Sequence, residues 1–120
     1  ENLFHCGAGL DSFHVGSDGK MYLCIMVRDL YYDLRKGTFA EAWNEFIPRV
    51  RGEKAREDYK CSRCELFFLC GQCPGWGALE AADRHKKSEF LCKLAHLRED
   101  AFSKEALWKE PKDDKKGIAK

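Results

Sequence analysis

The sequence predicts a small, loop-rich α+β domain, with one short β-hairpin and a few α-helices gathered around cysteines. Three observations carry this. Short β-prone runs flank an Asp18-Gly19 turn, two later stretches repeat apolar residues at helical spacing, and four of the seven cysteines lie between Cys61 and Cys73. A chain of 120 residues allows one domain. With 44% hydrophobic and 34% charged residues it can bury a modest core, and domains this small often depend on a disulfide or metal staple.

The elements follow in order. Ser12-Phe13-His14-Val15 and Lys20-Met21-Tyr22-Leu23-Cys24 read as two strands joined through Gly16-Ser17-Asp18-Gly19. An antiparallel hairpin returns Cys24 to where the first strand began, which brings it toward Cys6. Ile25 to Lys36 reads as a mixed segment with an irregular helical stretch through Asp29–Leu34. Thr38 and Glu41 form a capping box, and Phe39, Trp43, Phe46, Ile47 and Val50 then share one helical face, read as core packing against the hairpin. Pro48 predicts a break or kink in that helix.

Gly52 to Lys60 reads as a charged linker into the cysteine-rich stretch. Beyond it, Pro74-Gly75-Trp76-Gly77 reads as a turn, Ala78–Ala82 as a short helical piece and Asp83–Lys87 as a solvated segment. From Ser88 a second amphipathic helix is expected, with Leu91, Leu94, Ala95 and Ala101 on or near one face and Cys92 in its first turns. Residues 1–110 form the domain, and residues 111–120 read as a disordered, charged tail after Pro111.

Charge and composition narrow the function. Net charge is +1, from 21 basic and 20 acidic residues, which gives no basic footprint for nucleic acid. No run approaches the ~18 apolar residues of a membrane span, and no signal-peptide pattern opens the chain. An odd number of cysteines would leave one thiol outside any disulfide framework. A cytoplasmic, reducing setting with thiolates kept for metal is therefore expected.

The cysteines run C-x2-C-x5-C-x2-C from Cys61 through Cys64 and Cys70 to Cys73, with Cys6, Cys24 and Cys92 apart. Two residues between thiolates form a knuckle that presents both sulfurs to one centre. One zinc could take all four, although paired knuckles on a single zinc are usually further apart, and Cys6, Cys24 and Cys92 would then have no role. Alternatively two centres share the seven sulfurs. In ferredoxin-type runs the last cysteine of a compact motif serves the neighbouring cluster. Spacing alone leaves these arrangements open.

In order, Cys6, Gly19-x4-Cys24, the compact run and Cys92 resemble the SPASM domain, the C-terminal auxiliary-cluster extension of many radical S-adenosylmethionine enzymes. The resemblance spans roughly residues 3 to 95 and takes in every cysteine. It implies a fold organised around two [4Fe-4S] clusters. Cys61, Cys64, Cys70 and Cys92 would hold one, and Cys6, Cys24 and Cys73 the other, whose fourth position is open or filled by a residue other than cysteine. His5, Asp11, Ser12 and His14 lie nearby in sequence, read first as turn formers or packed side chains. The family commonly places three residues between the last two cysteines of the compact run, whereas only Gly71 and Gln72 stand here.

The resemblance further implies electron transfer and docking of a peptide or protein substrate, beside an N-terminal radical S-adenosylmethionine barrel as partner. The cysteines contain no C-x3-C-x2-C triplet, so this chain is not expected to cleave S-adenosylmethionine alone. It reads as part of an oxidoreductase or maturase with no catalytic residue of its own. Two other functions fit the cysteines: a zinc-stabilised binding module without a redox role, zinc also being a substitute for iron in an aerobic preparation, and a free-standing ferredoxin-like carrier. Phe67, Phe68 and Trp76 beside the ligands read as core or as a water-excluding cover.

Overall fold

The computed structural model describes residues 1–104, so the expected tail at 111–120 lies outside the described residues. The chain is a small α+β fold with a three-stranded antiparallel sheet in the order β1-β2-β3. Strands β1 (His14–Val15) and β2 (Lys20–Tyr22) form the expected hairpin, with His14 opposite Tyr22 and Val15 opposite Met21. Gly19 adopts φ +75°, which the tight reversal requires, and Asp18 accepts from the Lys20 amide at 3.2 Å.

A third strand replaces the helical stretch expected between Asp29 and Leu34. Strand β3 (Tyr32–Asp33) pairs with β2, placing Met21 opposite Tyr32 and Lys20 opposite Asp33. Consecutive aromatics favour a pleated surface, and Asp33 ends it by accepting from the Arg35 amide at 3.0 Å and from its guanidinium at 2.9 Å. Leu34 then donates to the Gly19 carbonyl at 3.0 Å, tying this turn to the hairpin.

Helix α1 covers 39–51 as three consecutive pieces, Phe39–Glu41, a wide π segment Ala42–Phe46, and Ile47–Arg51. Its capping box is complete: Thr38 accepts from Glu41, and the Glu41 carboxylate accepts from the Thr38 amide. Pro48 neither breaks the helix nor ends it. The missing N–H is absorbed by the wider turn ahead of it, where the Ile47 amide reaches back to Ala42.

The core joins α1 to the sheet and the N-terminal segment: Leu3, Phe4, Met21, Leu23, Val27, Ala42, Phe46, Ile47, Val50 and Tyr59. Phe39 lies outside it, half exposed, edge-on to Phe13 and stacked with Trp43. The segment expected as a linker is instead part of this body. Leu3 donates to Glu53 at 2.8 Å, Ala55 donates to Glu1 at 3.1 Å, and Asn2 bridges Lys54.

Beyond the core, Cys61–Arg63 makes a 3-10 turn, followed by helices α2 (Phe67–Cys70), α3 (Pro74–Ala81) and α4 (Glu89–Lys104). Pro74-Gly75-Trp76-Gly77, expected as a turn, opens α3 instead, with proline at a position where its missing amide costs nothing. The glycine at 77 serves close approach. A Cβ there would stand 2.2 Å from the Lys86 carbonyl oxygen and 2.6 Å from that of Asp83.

The segment expected as solvated is pinned. Arg84 donates twice to Glu53 at 3.0 Å and pairs with Asp29, His85 lies 3.0 Å from Glu53, and Arg56 donates to Asp83 at 2.8 Å. Helix α4 starts as expected after Ser88, whose hydroxyl accepts from Leu91 at 3.3 Å, and it buries Leu91 and Ala95. No helix among the described residues is long and apolar enough to cross a membrane.

Asp33 gives the fold an acid-sensitive joint. The Arg35 guanidinium, then the Arg35 amide, hold its carboxyl down to about 2. A depressed folded value contributes stability above the unfolded value of about 4 and loses it as pH falls toward 2. In urea titrations, Asp33→Asn is expected to fall below the wild type near neutral pH, with the gap closing between about pH 4 and pH 2. A gap independent of pH would exclude this role.

Candidate metal centres

All seven cysteines are free thiols, four of them lining one cleft and two another. Cys61, Cys64, Cys70 and Cys92 line one narrow cleft of about 40 Å³ together with Leu66, Gln72, Lys87 and His96. A wider hollow of about 230 Å³ shares Cys61, Cys64, Cys92 and Lys87, and opens toward Tyr59 and His85. The 3-10 turn supplies Cys61, the end of α2 supplies Cys70, and the first turns of α4 supply Cys92.

Burial pushes the Cys61 thiol up, and Cys70, Cys64 and Cys92 act in the same direction as neighbouring negative charges. Such a group of sulfurs is costly to ionise together unless a cation shares the charge. Lys87 offsets part of it, its ammonium lying 3.8 Å from the Cys92 sulfur. Cys92 is the first cause holding the Lys87 ammonium above its ordinary value, followed by Glu89.

The second set that the resemblance implies is Cys6, Cys24 and Cys73. Cys6 and Cys73 line a separate cavity of about 170 Å³ with Leu3, His5, Tyr59, Ser62, Phe67, Gln72 and Pro74. Cys24 is not among its lining residues, but it is close enough to Cys73 to act on it. Burial pushes the Cys73 thiol up, the Trp76 and Gly75 amides pull it down, and Cys24 and Cys6 push it up again. Cys73 stands at the N-cap of α3, where the helix end favours a thiolate. The Cys6 loop is held from α1 by Arg51, which donates to the carbonyl of Cys6 at 2.8 Å and also to that of Ala8.

Of the four residues near Cys6 in sequence, His5 alone lines this cavity. Asp11 turns back on Gly7, within 2.7 Å of where a Cβ would stand, Ser12 bridges Ala8, and His14 lies against Tyr22 in the sheet. The Ser62 hydroxyl, lining the same cavity, is buried without a hydrogen-bond partner.

The two groups diverge within one short spacer. Gly71 closes α2 in the left-handed region at φ +68°, and Gln72 then leads into extended Cys73. The Gln72 amide donates to the Cys70 sulfur at 3.2 Å, while the Cys70 thiol donates to the Phe67 carbonyl at 3.3 Å. Phe67 lies edge-on to His5, but Phe68 is 95% exposed, so it is neither core nor cover, because one turn of helix cannot bury both rings. Trp76 is likewise exposed at the surface.

Among the described residues, no group of three or more His, Cys, Asp or Glu side chains is gathered closely enough to hold one metal ion. The sulfurs line cavities instead of converging on a point. Sequence reasoning missed Gln72, Tyr59, Ser62 and Lys87. A lone aromatic in the charged stretch before Cys61 was a usable signal for Tyr59, whereas Gln72 and Ser62 carry none. No protein-family model, curated protein or solved structure matches this chain.

The spacer can be tested alone. No heavy atom lies within 4 Å of a Cβ placed on Gly71, so Gly71→Ala meets no clash and suffers only the left-handed backbone, about 1–2 kcal/mol. Chemical denaturation is expected to show that loss, with Cys70 and Cys73 labelling faster by a thiol reagent. Gly71→Asn should recover most of it, and equal effects of alanine and asparagine would argue against the turn as the cause.

Proposed function

We propose that this chain is an auxiliary iron–sulfur domain of a radical S-adenosylmethionine enzyme, serving electron transfer and the docking of a peptide or protein substrate. The observation that carries it is that Cys61, Cys64, Cys70 and Cys92 line one cleft and Cys6 and Cys73 another cavity, with Gln72 of the short spacer lining both. This supports the ligand division which the resemblance to SPASM domains implies. Soft thiolate donors, with an imidazole at each site (His96 and His5), suit iron–sulfur clusters or zinc.

In this proposal Cys61, Cys64, Cys70 and Cys92 hold one [4Fe-4S] cluster. Cys6, Cys24 and Cys73 hold the other, with its fourth position toward the cavity that His5 and Ser62 line. Bound there, the clusters would supply one-electron redox chemistry at potentials set by charge, burial and hydrogen bonds to sulfur. The chain's own groups supply those terms. The Gln72 amide donates to Cys70, Lys87 places positive charge beside Cys92, and half-buried Phe67 restricts water on one side of the Cys6–Cys73 cavity.

A further observation favours metal as a structural necessity. The apolar core is drawn from residues 3–59, whereas among the described residues the part that carries five of the cysteines buries few apolar side chains, Pro74, Leu91 and Ala95. A segment so poor in buried apolar surface needs another source of cohesion.

Anaerobic preparation is expected to give about eight irons per chain and a broad visible band near ~400 nm. Cys92→Ala should lose the cluster of Cys61, Cys64 and Cys70 and keep the other, so iron falls to about half. One or two zincs with no iron, in a sample never exposed to air, would favour a zinc-stabilised module instead. Retention of all iron in the Cys92→Ala protein would overturn the ligand division.

A further inference from the structure

Gln72 stands between the two sulfur groups. It lines both the cleft of Cys61, Cys64, Cys70 and Cys92 and the cavity of Cys6 and Cys73. It is also buried, at 7% exposure, and so is Ser88, to which it is bonded. The Ser88 amide donates to Gln72 Oε1 at 3.0 Å, at the start of the helix that carries Cys92. Gln72 Nε2 donates to the Cys73 carbonyl at 3.4 Å, and its backbone amide donates to the Cys70 sulfur at 3.2 Å.

One residue is thereby tied to a sulfur of one group, to the backbone of a cysteine in the other, and to the cap of a third ligand-bearing segment. A buried amide left unpaired is costly, and this one is paired at both ends of its side chain. Tyr59 stands in the same region, lining the Cys6–Cys73 cavity and the hollow beside Cys61, Cys64 and Cys92.

We propose that Gln72 is the shared wall between the two cluster sites and the positioning residue through which their reduction potentials are set together. This rests on the two-cluster proposal above. N–H groups aimed at ligand sulfurs stabilise the added electron and raise the potential, and an N–H dipole held beside the cluster on the Cys73 carbonyl acts electrostatically in the same direction. Removing the side-chain amide takes a donor from the Cys73 side. It also frees the Ser88 end, which loosens the backbone amide on the Cys70 side. Both potentials therefore move down.

The test uses the full chain loaded anaerobically, with iron counted first and the clusters then reduced stepwise by dithionite under electron paramagnetic resonance. A wild type without iron–sulfur clusters would defeat the underlying proposal, whatever Gln72 does. With clusters present, Gln72→Met is expected to lower both midpoint potentials, each reduction equilibrium shifting about tenfold, or about 59 mV for one electron. Phe68→Met, in the same stretch but facing solvent, should move neither. If Gln72→Met does not load, Gln72→Leu, neutral, of similar volume and likewise without a donor, takes its place and should lower both potentials as well. A loaded variant with both potentials unchanged, or with only one shifted, overturns the inference.

Discussion

A left-handed turn at Gly71 is the constraint on which the arrangement of sulfurs depends. Two residues are too few to carry a chain around a bulky group by an ordinary loop. A helix that stops in the left-handed region reverses direction at once, and an extended Cys73 then leaves the turn facing another way from Cys70. The shortness of the spacer is therefore compatible with divergence. It also forces Gln72 into the wall between the two cavities, where its polar groups must find partners inside the protein.

The two halves of the chain are stabilised differently. Residues 3–59 form an apolar core in which α1 packs on the sheet through Ile47, Phe46 and Val50. Each fully buried side chain of that size contributes about 1.5–3 kcal/mol relative to exposure. The following half holds itself to that body through Arg84 and His85 on Glu53, through Asp83 on Arg56, and through the close approach of Gly75 to Met26. Ion pairs at a surface are weak individually. This asymmetry is a physical reason for cysteines to be concentrated where hydrophobic burial is thin.

Local signals made the hairpin, the capping box and the Ser88 helix legible in the sequence. An Asp-Gly turn, a Thr with Glu three residues on, and an apolar helical period each act over a few residues. Strand β3 was not legible, because a two-residue strand is too short for propensity to decide and is fixed by pairing with β2. The same holds for the Pro74-Gly75-Trp76-Gly77 run, whose glycines look like a turn but answer to Met26, Asp83 and Lys86. The charges at 53–58 and 83–87 looked solvated because their partners are remote in sequence. At the candidate site the cysteines were visible as a pattern, while Gln72 and Ser62 became recognisable only once both cavities had walls.

The central claim is that the sulfurs serve two separate iron centres divided at the Gly71-Gln72 spacer. An anomalous-scattering map at the iron edge, from crystals grown without oxygen, addresses it most directly. The account expects two separate iron peaks, one among Cys61, Cys64, Cys70 and Cys92 and one beside Cys6, Cys24 and Cys73, with Gln72 between them. A single metal peak enclosed by Cys61, Cys64, Cys70 and Cys73 would contradict it.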